Sequence, residues 1–332
     1  LTLQTKTTKK SLSVIVLAGG KGTRMKSSKP KVLHEIAGLP LVSWVLKAAE
    51  SLGAEHKALV LGHEKERFLA LKDKFSGLHM VLQELQRGTG DAVASAACVF
   101  EEVLIPNYAS KVILSSSGAV KSEWTLVLAA DAPCIDHKVL SQFFEELSAS
   151  GKQLGVIGMI PDSPKGYGRL ITEKKQGEGL SLQKIVEEKD ANDLEKKVSI
   201  CNSGVILCKT NYLFELLSRL TQNNKQNEFY LTDIFALAKQ EGKESLVFVA
   251  DCYEDFLGVN DRGQLSEAES WMLKKIRAHW MKEGVTIRLP ESVYIGADVT
   301  FGRDVEVFGP AVLRGKRHVE DGSSVGPFVV LD

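Results

Sequence analysis

Leu12-Ser13-Val14-Ile15-Val16-Leu17-Ala18-Gly19-Gly20-Lys21-Gly22-Thr23-Arg24-Met25, with Lys29-Pro30-Lys31 close behind, decides how the rest of the chain is read. The mostly apolar run up to Ala18 predicts a buried strand. Then the side chains vanish. Gly19, Gly20 and Gly22 leave backbone N–H groups uncovered, so an anion can approach closely. Lys21, Arg24, Lys29 and Lys31 put four cations within eleven residues of that bare backbone. Bare backbone and positive charge together suit a phosphate chain. The same string also reads as a tight turn after a strand, with its cations in water, and the residues alone leave both readings open.

Two familiar phosphate loops are excluded. A dinucleotide fingerprint needs a third glycine three residues after Gly22, where Met25 stands. A P-loop needs Gly-Lys-Ser/Thr four residues after its first glycine, and no such run occurs. The stretch from Ala18 to Met25 with Lys29-Pro30-Lys31, continued by Val32-Leu33-His34 to Gly38, resembles the nucleotide-binding start of sugar-1-phosphate nucleotidylyltransferases. It is most similar to that of bacterial N-acetylglucosamine-1-phosphate uridylyltransferases. The resemblance implies that Ala18, Gly19, Gly20, Gly22 and Thr23 wrap a nucleoside triphosphate. Arg24 and Lys31 become the catalytic cations on its phosphates.

Composition sets the outer limits. The 332 residues are 44% hydrophobic and 25% charged, enough for one large or two modest domains with a core. Net charge is zero, so no whole-protein field draws the chain to nucleic acid or an anionic membrane. Attraction for phosphate must then be local. Five scattered cysteines without a CxxC pair indicate neither zinc nor a disulfide framework, and reduced cytoplasmic thiols are expected. Leu1–Lys10 has no apolar signal core, and no run reaches transmembrane length.

Downstream, a helix is expected from Pro40 to Leu52 with Gly53 as its stop, a strand from Lys57 to Gly62, a helix from Glu64 to Phe75, and a strand from His79 to Leu82. The alternation predicts an α/β domain of Rossmann-like type, with a mostly parallel sheet and ligands beyond the carboxyl ends of its strands. Gln83-Glu84-Leu85-Gln86-Arg87-Gly88-Thr89-Gly90 follows directly. Its amides suit the donor and acceptor edge of a base, and a polar strand-to-helix loop is the other reading. The resemblance implies that Gln83, Gly88 and Thr89 hold uracil, with Arg87 and Asp91 departing from the usual Leu and His. The Ser-rich stretch 106–123 has no counterpart in that family and is expected as a surface insertion.

Trp124–Ala130 predicts a buried strand leading into Asp131-Ala132-Pro133. A carboxylate there suits Mg²⁺, or simply opens a turn before Pro133. Gly166-Tyr167-Gly168-Arg169, Val186-Glu187-Glu188-Lys189-Asp190-Ala191 and Ile200-Cys201-Asn202-Ser203-Gly204-Val205 each read alone as turns or solvated charge. Their order matches the family's sugar-contacting stretches, which implies that Gly168, Glu187, Asn202 and Ser203 meet an N-acetylhexosamine. Asn227–Ile234 is expected to open a helix and wall that pocket. Asn260, in Gly258-Val259-Asn260-Asp261-Arg262, caps a helix from about Gln264 or, by family match, joins Asp131 as the second Mg²⁺ ligand. The resemblance covers residues 12–262 through seven ordered motifs.

After a linker helix over residues 263–284 the period changes. Leu289, Ile295, Phe301, Val307, Leu313, Val319, Val325 and Leu331 recur every six residues. Hexapeptide repeats build a left-handed parallel β-helix of about eighteen residues per turn, with the repeated aliphatic inward. Loosely patterned strands are the other reading. The organisation expected is therefore a nucleotidylyltransferase domain over 1–262, the linker helix, and a short β-helix over 285–332. By the resemblance the substrates are UTP and N-acetylglucosamine 1-phosphate with Mg²⁺ as cofactor. A homotrimer through the β-helix is implied, and about two turns are too few for the family's acetyltransferase site. Another sugar-1-phosphate nucleotidylyltransferase, or a non-catalytic subunit of the same fold, are the alternatives.

Overall fold

The strand predicted from Leu12 forms over Leu12–Ala18 and stands inside a ten-stranded sheet. The computed structural model describes residues 11–20, 22–62, 64–100, 110–114, 120–175 and 179–332; Lys21, one of the four loop cations, lies outside them. Packing divides the chain into two compact units. The first comprises Leu1–Lys21, Val45–Ala130 and Ile135–Phe256; the second comprises Gly22–Trp44, Asp131–Cys134 and Leu257–Asp332.

In the first unit, four parallel strands run side by side in the order Trp124–Ala129, Leu12–Ala18, His56–Leu61, Leu78–Gln83. Each is mostly apolar and buried on both faces, as a strand covered on both sides requires, with Ser13, Lys57, His79, Gln83 and Thr125 as buried polar exceptions. Ile15, Val60, Val81 and Val127 are at most 1% exposed and belong to one core with the Thr89–Ser95 and Thr210–Leu217 helices. Antiparallel strands flank this parallel centre. Cys201–Lys209 pairs with Trp124–Ala129 on one side, and Ser110–Leu114 with Leu78–Gln83 on the other. Ser110–Leu114 falls within the expected insertion 106–123; residues 106–109 and 115–119 lie outside the described residues. The chain order puts Leu12–Ala18 between His56–Leu61 and Trp124–Ala129, which is where the strand order reverses. Ligands of open α/β sheets bind beyond the carboxyl ends at such a point.

Local elements follow the sequence with instructive exceptions. The helix expected from Pro40 runs Leu41–Ser51 and stops where Gly53 takes φ 82°. Glu64–Phe75 does not form an α-helix. Glu64 enters at φ 53°, and the segment winds as 3-10 turns over Lys65–Leu71, anchored by buried Phe68, Leu71 and Phe75. Asn227–Ile234 likewise starts as a 3-10 turn, Leu231–Asp233, before the Ile234–Gln240 helix.

The second unit is built on the Arg262–Lys282 helix and a coil of short parallel strands. Ile36, Leu41, Val259, Ala268 and Met272 make one apolar cluster around the helix. The coil has its own core, with Trp280 edge-on to Phe301 at 5.0 Å. Val293 pairs with Ala311 and Ala311 with Val329, so the coil repeats every eighteen residues. Ile295, Val307 and Leu313 are fully buried, as the hexad predicts. Leu289 is the exception: it is 69% exposed at φ 53°. Thr286 pairs with Glu306, twenty residues on, so the first turn carries two extra residues. They are taken up by the 3-10 turn at Pro290–Ser292. The inward residue of the first strand is therefore Ile287, opposite Val307. Among the described residues no helix is long and apolar enough to cross a membrane.

Candidate active site

In the second unit, three predicted residues meet at one point. Lys31 Nζ pairs with the Asp131 carboxylate and donates to Asn260 Oδ1 at 3.1 Å. Their positions follow from local geometry. Gly22 adopts φ 59°, and a Cβ on it would lie 2.6 Å from Lys31 Cβ, so only glycine lets the loop lie against the lysine stem. Asp131 accepts Val259 N–H at its backbone carbonyl at 2.8 Å, which ties the two acceptor segments together. Asn260 is not the helix cap. Asp261 takes that role, its Oδ1 accepting Gln264 N–H at 2.9 Å, and the helix begins at Arg262. The Asn260 side chain is thereby left for Lys31. Arg262 donates to Met25 O and contacts His34 Nδ1, both at 3.3 Å, joining the loop to the helix start. Burial first, then the Arg262 charge, pushes the His34 pKa down. Thr23 and Arg24 form an exposed 3-10 turn with Met25 buried beneath.

Two oxygens, one from Asp131 and one from Asn260, converge on the Lys31 ammonium. A carboxylate and an amide oxygen are hard donors, and Mg²⁺ accepts one or two protein oxygens plus phosphates and water. Among the described residues no cage of three or more His, Cys, Asp or Glu side chains forms. The donor set fits Mg²⁺ of that sparsely held kind.

In the first unit, Gly19 and Gly20 follow the carboxyl end of Leu12–Ala18, where Ala18 is buried. Nothing lies within 4 Å of a Cβ built on Gly20, so its backbone is open. Gln83 ends its own strand and is 4% exposed; a Cβ on Gly19 would stand 3.0 Å from its Oε1. Gln86 donates to Gly19 O at 3.3 Å. The glycine strand end and the amide loop are thus neighbours. Gly88, at φ 114°, packs against the Phe229 backbone, which a Cβ would approach to 2.6 Å. Thr89 Oγ1 accepts Leu231 N–H at 3.0 Å.

The predicted sugar residues also gather within this unit. Asn202 N–H donates to Gly168 O at 2.8 Å, and a Cβ on Gly168 would meet Glu187 Oε2 at 3.4 Å. Glu187 Oε1 accepts the Thr232 hydroxyl at 2.9 Å. Burial raises the Glu187 pKa, Thr232 opposes this, and Asp190 adds to it. Burial, Glu187 and Asp190 together push Asp233 up to about 6. Asn202 Oδ1 accepts Gly204 N–H at 3.0 Å, in the strand irregularity where Gly204 takes φ 83°. The Ser203 hydroxyl is directed to Ile157 O at 2.7 Å. Sequence reasoning finds Thr232 only as wall; nothing in its spacing signals that its hydroxyl holds Glu187. It also misses the Arg169–Glu188 pair at 2.8 Å, with Arg169 2% exposed.

The family model of the MobA-like NTP transferase domain matches residues 14–272. The chain is 38% identical over 288 residues to the bifunctional protein GlmU of Lactococcus lactis subsp. cremoris strain SK11, covering 87% of this chain and 58% of that protein. It is 36% identical to the bifunctional protein GlmU of a Nitratiruptor species, covering 96% and 70%. The fold is similar to a solved UDP-glucose pyrophosphorylase complexed with UDP-glucose, at TM-score 0.59 and 21% identity over 80% of this chain and 99% of that one.

Proposed function

Because the chain belongs to the MobA-like NTP transferase family, we propose that it transfers a uridylyl group from UTP to N-acetylglucosamine 1-phosphate. The products are UDP-N-acetylglucosamine and pyrophosphate. The observation that carries this reading is the meeting of Lys31, Asp131 and Asn260. The grouping of Gln83 with Gly19 supports a base contact, and that of Gly168, Glu187 and Asn202 supports an N-acetylated sugar.

The attacking group is a phosphate oxygen of the sugar, ionised near neutral pH because the second phosphate pKa lies near ~6. No protein base is required. What the chain must do is hold two anionic substrates in line and offset their charge. Asp131 and Asn260 would hold Mg²⁺, and the chemistry it would supply when bound is Lewis-acid neutralisation of phosphate charge. Lys31 and exposed Arg24 supply positive charge to the leaving pyrophosphate. Gly19, Gly20 and Gly22 offer backbone N–H groups to the triphosphate, and Thr23 its hydroxyl. Gln83, Gly88 and Thr89 take the base. The partly buried Glu187 carboxyl accepts from sugar hydroxyls, with Thr232 fixing its orientation. The eighteen-residue repeat supports a left-handed coil, and exposed Phe328 and Val330 support a homotrimer through it.

A coupled pyrophosphate assay tests the reaction. Release should depend on both UTP and N-acetylglucosamine 1-phosphate, and should fall at least about tenfold with glucose 1-phosphate. Equal rates with the two sugars would refute the sugar assignment.

A further inference from the structure

Arg87 and Asp91, the two residues that depart from the related pattern, form a single device around Gln83. Asp91 is 3% exposed. Its Oδ1 accepts Arg87 Nη2 at 2.8 Å and Nε at 3.1 Å. Its Oδ2 accepts Gln83 Nε2 at 2.7 Å, with the Arg87 backbone N–H at 3.5 Å. A buried carboxylate is costly without a charged partner, and the arginine provides one. Its guanidinium is in turn held over the Phe229 ring at 5.2 Å.

The consequence falls on the glutamine. Gln83 Nε2 also donates to Gly88 O at 3.1 Å. A carboxylate and a carbonyl only accept, so both demand the NH₂ side of the amide. The other orientation would set oxygen against oxygen at both contacts. Oε1 must therefore face away, and it does, toward Gly19. Among the described residues no donor reaches it.

We propose that Asp91, held by Arg87, is a positioning residue that fixes Gln83 with its oxygen presented to the ligand, so that the pocket selects a base edge bearing an N–H. The imide N3–H of uracil satisfies that oxygen. Cytosine offers an acceptor at N3 and leaves two lone pairs opposed. This inference rests on reading Gln83 as the base contact. It adds that the discrimination is set one residue further back, by a charge that touches no substrate. A neutral amide at position 91 both donates and accepts, so Gln83 is released to turn over.

The test compares the unaltered protein with Asp91→Asn, measuring kcat and KM for UTP and CTP, and calorimetric binding of UDP and CDP. The UTP-to-CTP ratio of kcat/KM should fall about 10- to 100-fold, the scale of a mispaired buried group. The loss should appear in KM, and the UDP-to-CDP binding ratio should shift in step without turnover. Arg87→Gln, altering a side chain that is 31% exposed, should shift both ratios in the same direction by less, and it keeps the test open should Asp91→Asn fail to fold. An undiminished ratio in either folded variant overturns the proposal and leaves the uridine reading standing. Equal binding of UDP and CDP by the unaltered protein overturns the base reading of Gln83, and this inference with it.

Discussion

Gly22 has no room for a side chain. Its φ of 59° and the 2.6 Å approach to Lys31 Cβ mean that alanine there strains the backbone and pushes the lysine stem aside. Gly22→Ala should cost about 1–3 kcal/mol of stability and lower kcat/KM, measured by urea unfolding beside steady-state rates. In the proposed function Asp131 acts on chemistry instead. Asp131→Ala should cut turnover at least ~100-fold, the scale of losing one strong electrostatic contact, while leaving the unfolding midpoint close to that of the parent. Near-normal turnover in Mg²⁺ would remove Asp131 from the site. Asp233 makes a prediction about pH. Its folded pKa of about 6 lies above the ordinary 3.8, so the folded state binds the proton more tightly. The stability it contributes is present below 3.8 and is lost as pH rises through about 6. Asp233→Asn escapes that loss. Denaturation at about pH 4 and about pH 7.5 should show the variant gaining on the parent at the higher pH, by on the order of 1 kcal/mol once solvent screening of a half-buried group is allowed for.

At the scale of elements, the coil shows where reading a period succeeds and where it slips. From Ile295 to Val325 the hexad marks buried apolar residues, because each turn repeats in eighteen residues. Leu289 shares the phase but sits past two extra residues, and Ile287 takes its place inside. Ile287→Ala should therefore cost about 2–4 kcal/mol, whereas Leu289→Ala should stay within about 0.5 kcal/mol. Comparable losses at both would contradict the twenty-residue first turn. The same limit explains other differences. Leu12–Ala18 and Trp124–Ala129 are legible because a strand buried on both faces is written in consecutive apolar residues. Glu64–Phe75 is not, because the spacing of Phe68, Leu71 and Phe75 suits a 3-10 winding as well as an α-helix. At the helix start, Asn260 and Asp261 are equally good caps by residue type. Only the fold decides that Asp261 caps and Asn260 turns to Lys31. Asp91 and Arg87 are visible in the sequence as departures, but their effect on Gln83 needs coordinates, since nothing in an i, i+4 charge pair says that the second carboxylate oxygen accepts from a buried amide.

At the scale of the whole molecule, the first unit carries Gln83, Gly168, Glu187 and Asn202, and the second carries Lys31 with its two oxygen acceptors. If Gln83 reads the base as proposed, UTP should exceed CTP and ATP in kcat/KM, since an unpaired amide penalises the wrong base. Equal rates with all three would show that the Gln83 loop does not read the base. The most direct measurement follows the transferred group itself. UTP labelled at the α-phosphorus is incubated with N-acetylglucosamine 1-phosphate and Mg²⁺, and the nucleotides are separated. Label is expected to move into UDP-N-acetylglucosamine, one pyrophosphate appearing for each, only when the sugar phosphate is present. Label that stays in UTP, or that reaches UMP whether or not the sugar phosphate is added, would contradict the assignment of a uridylyl transfer.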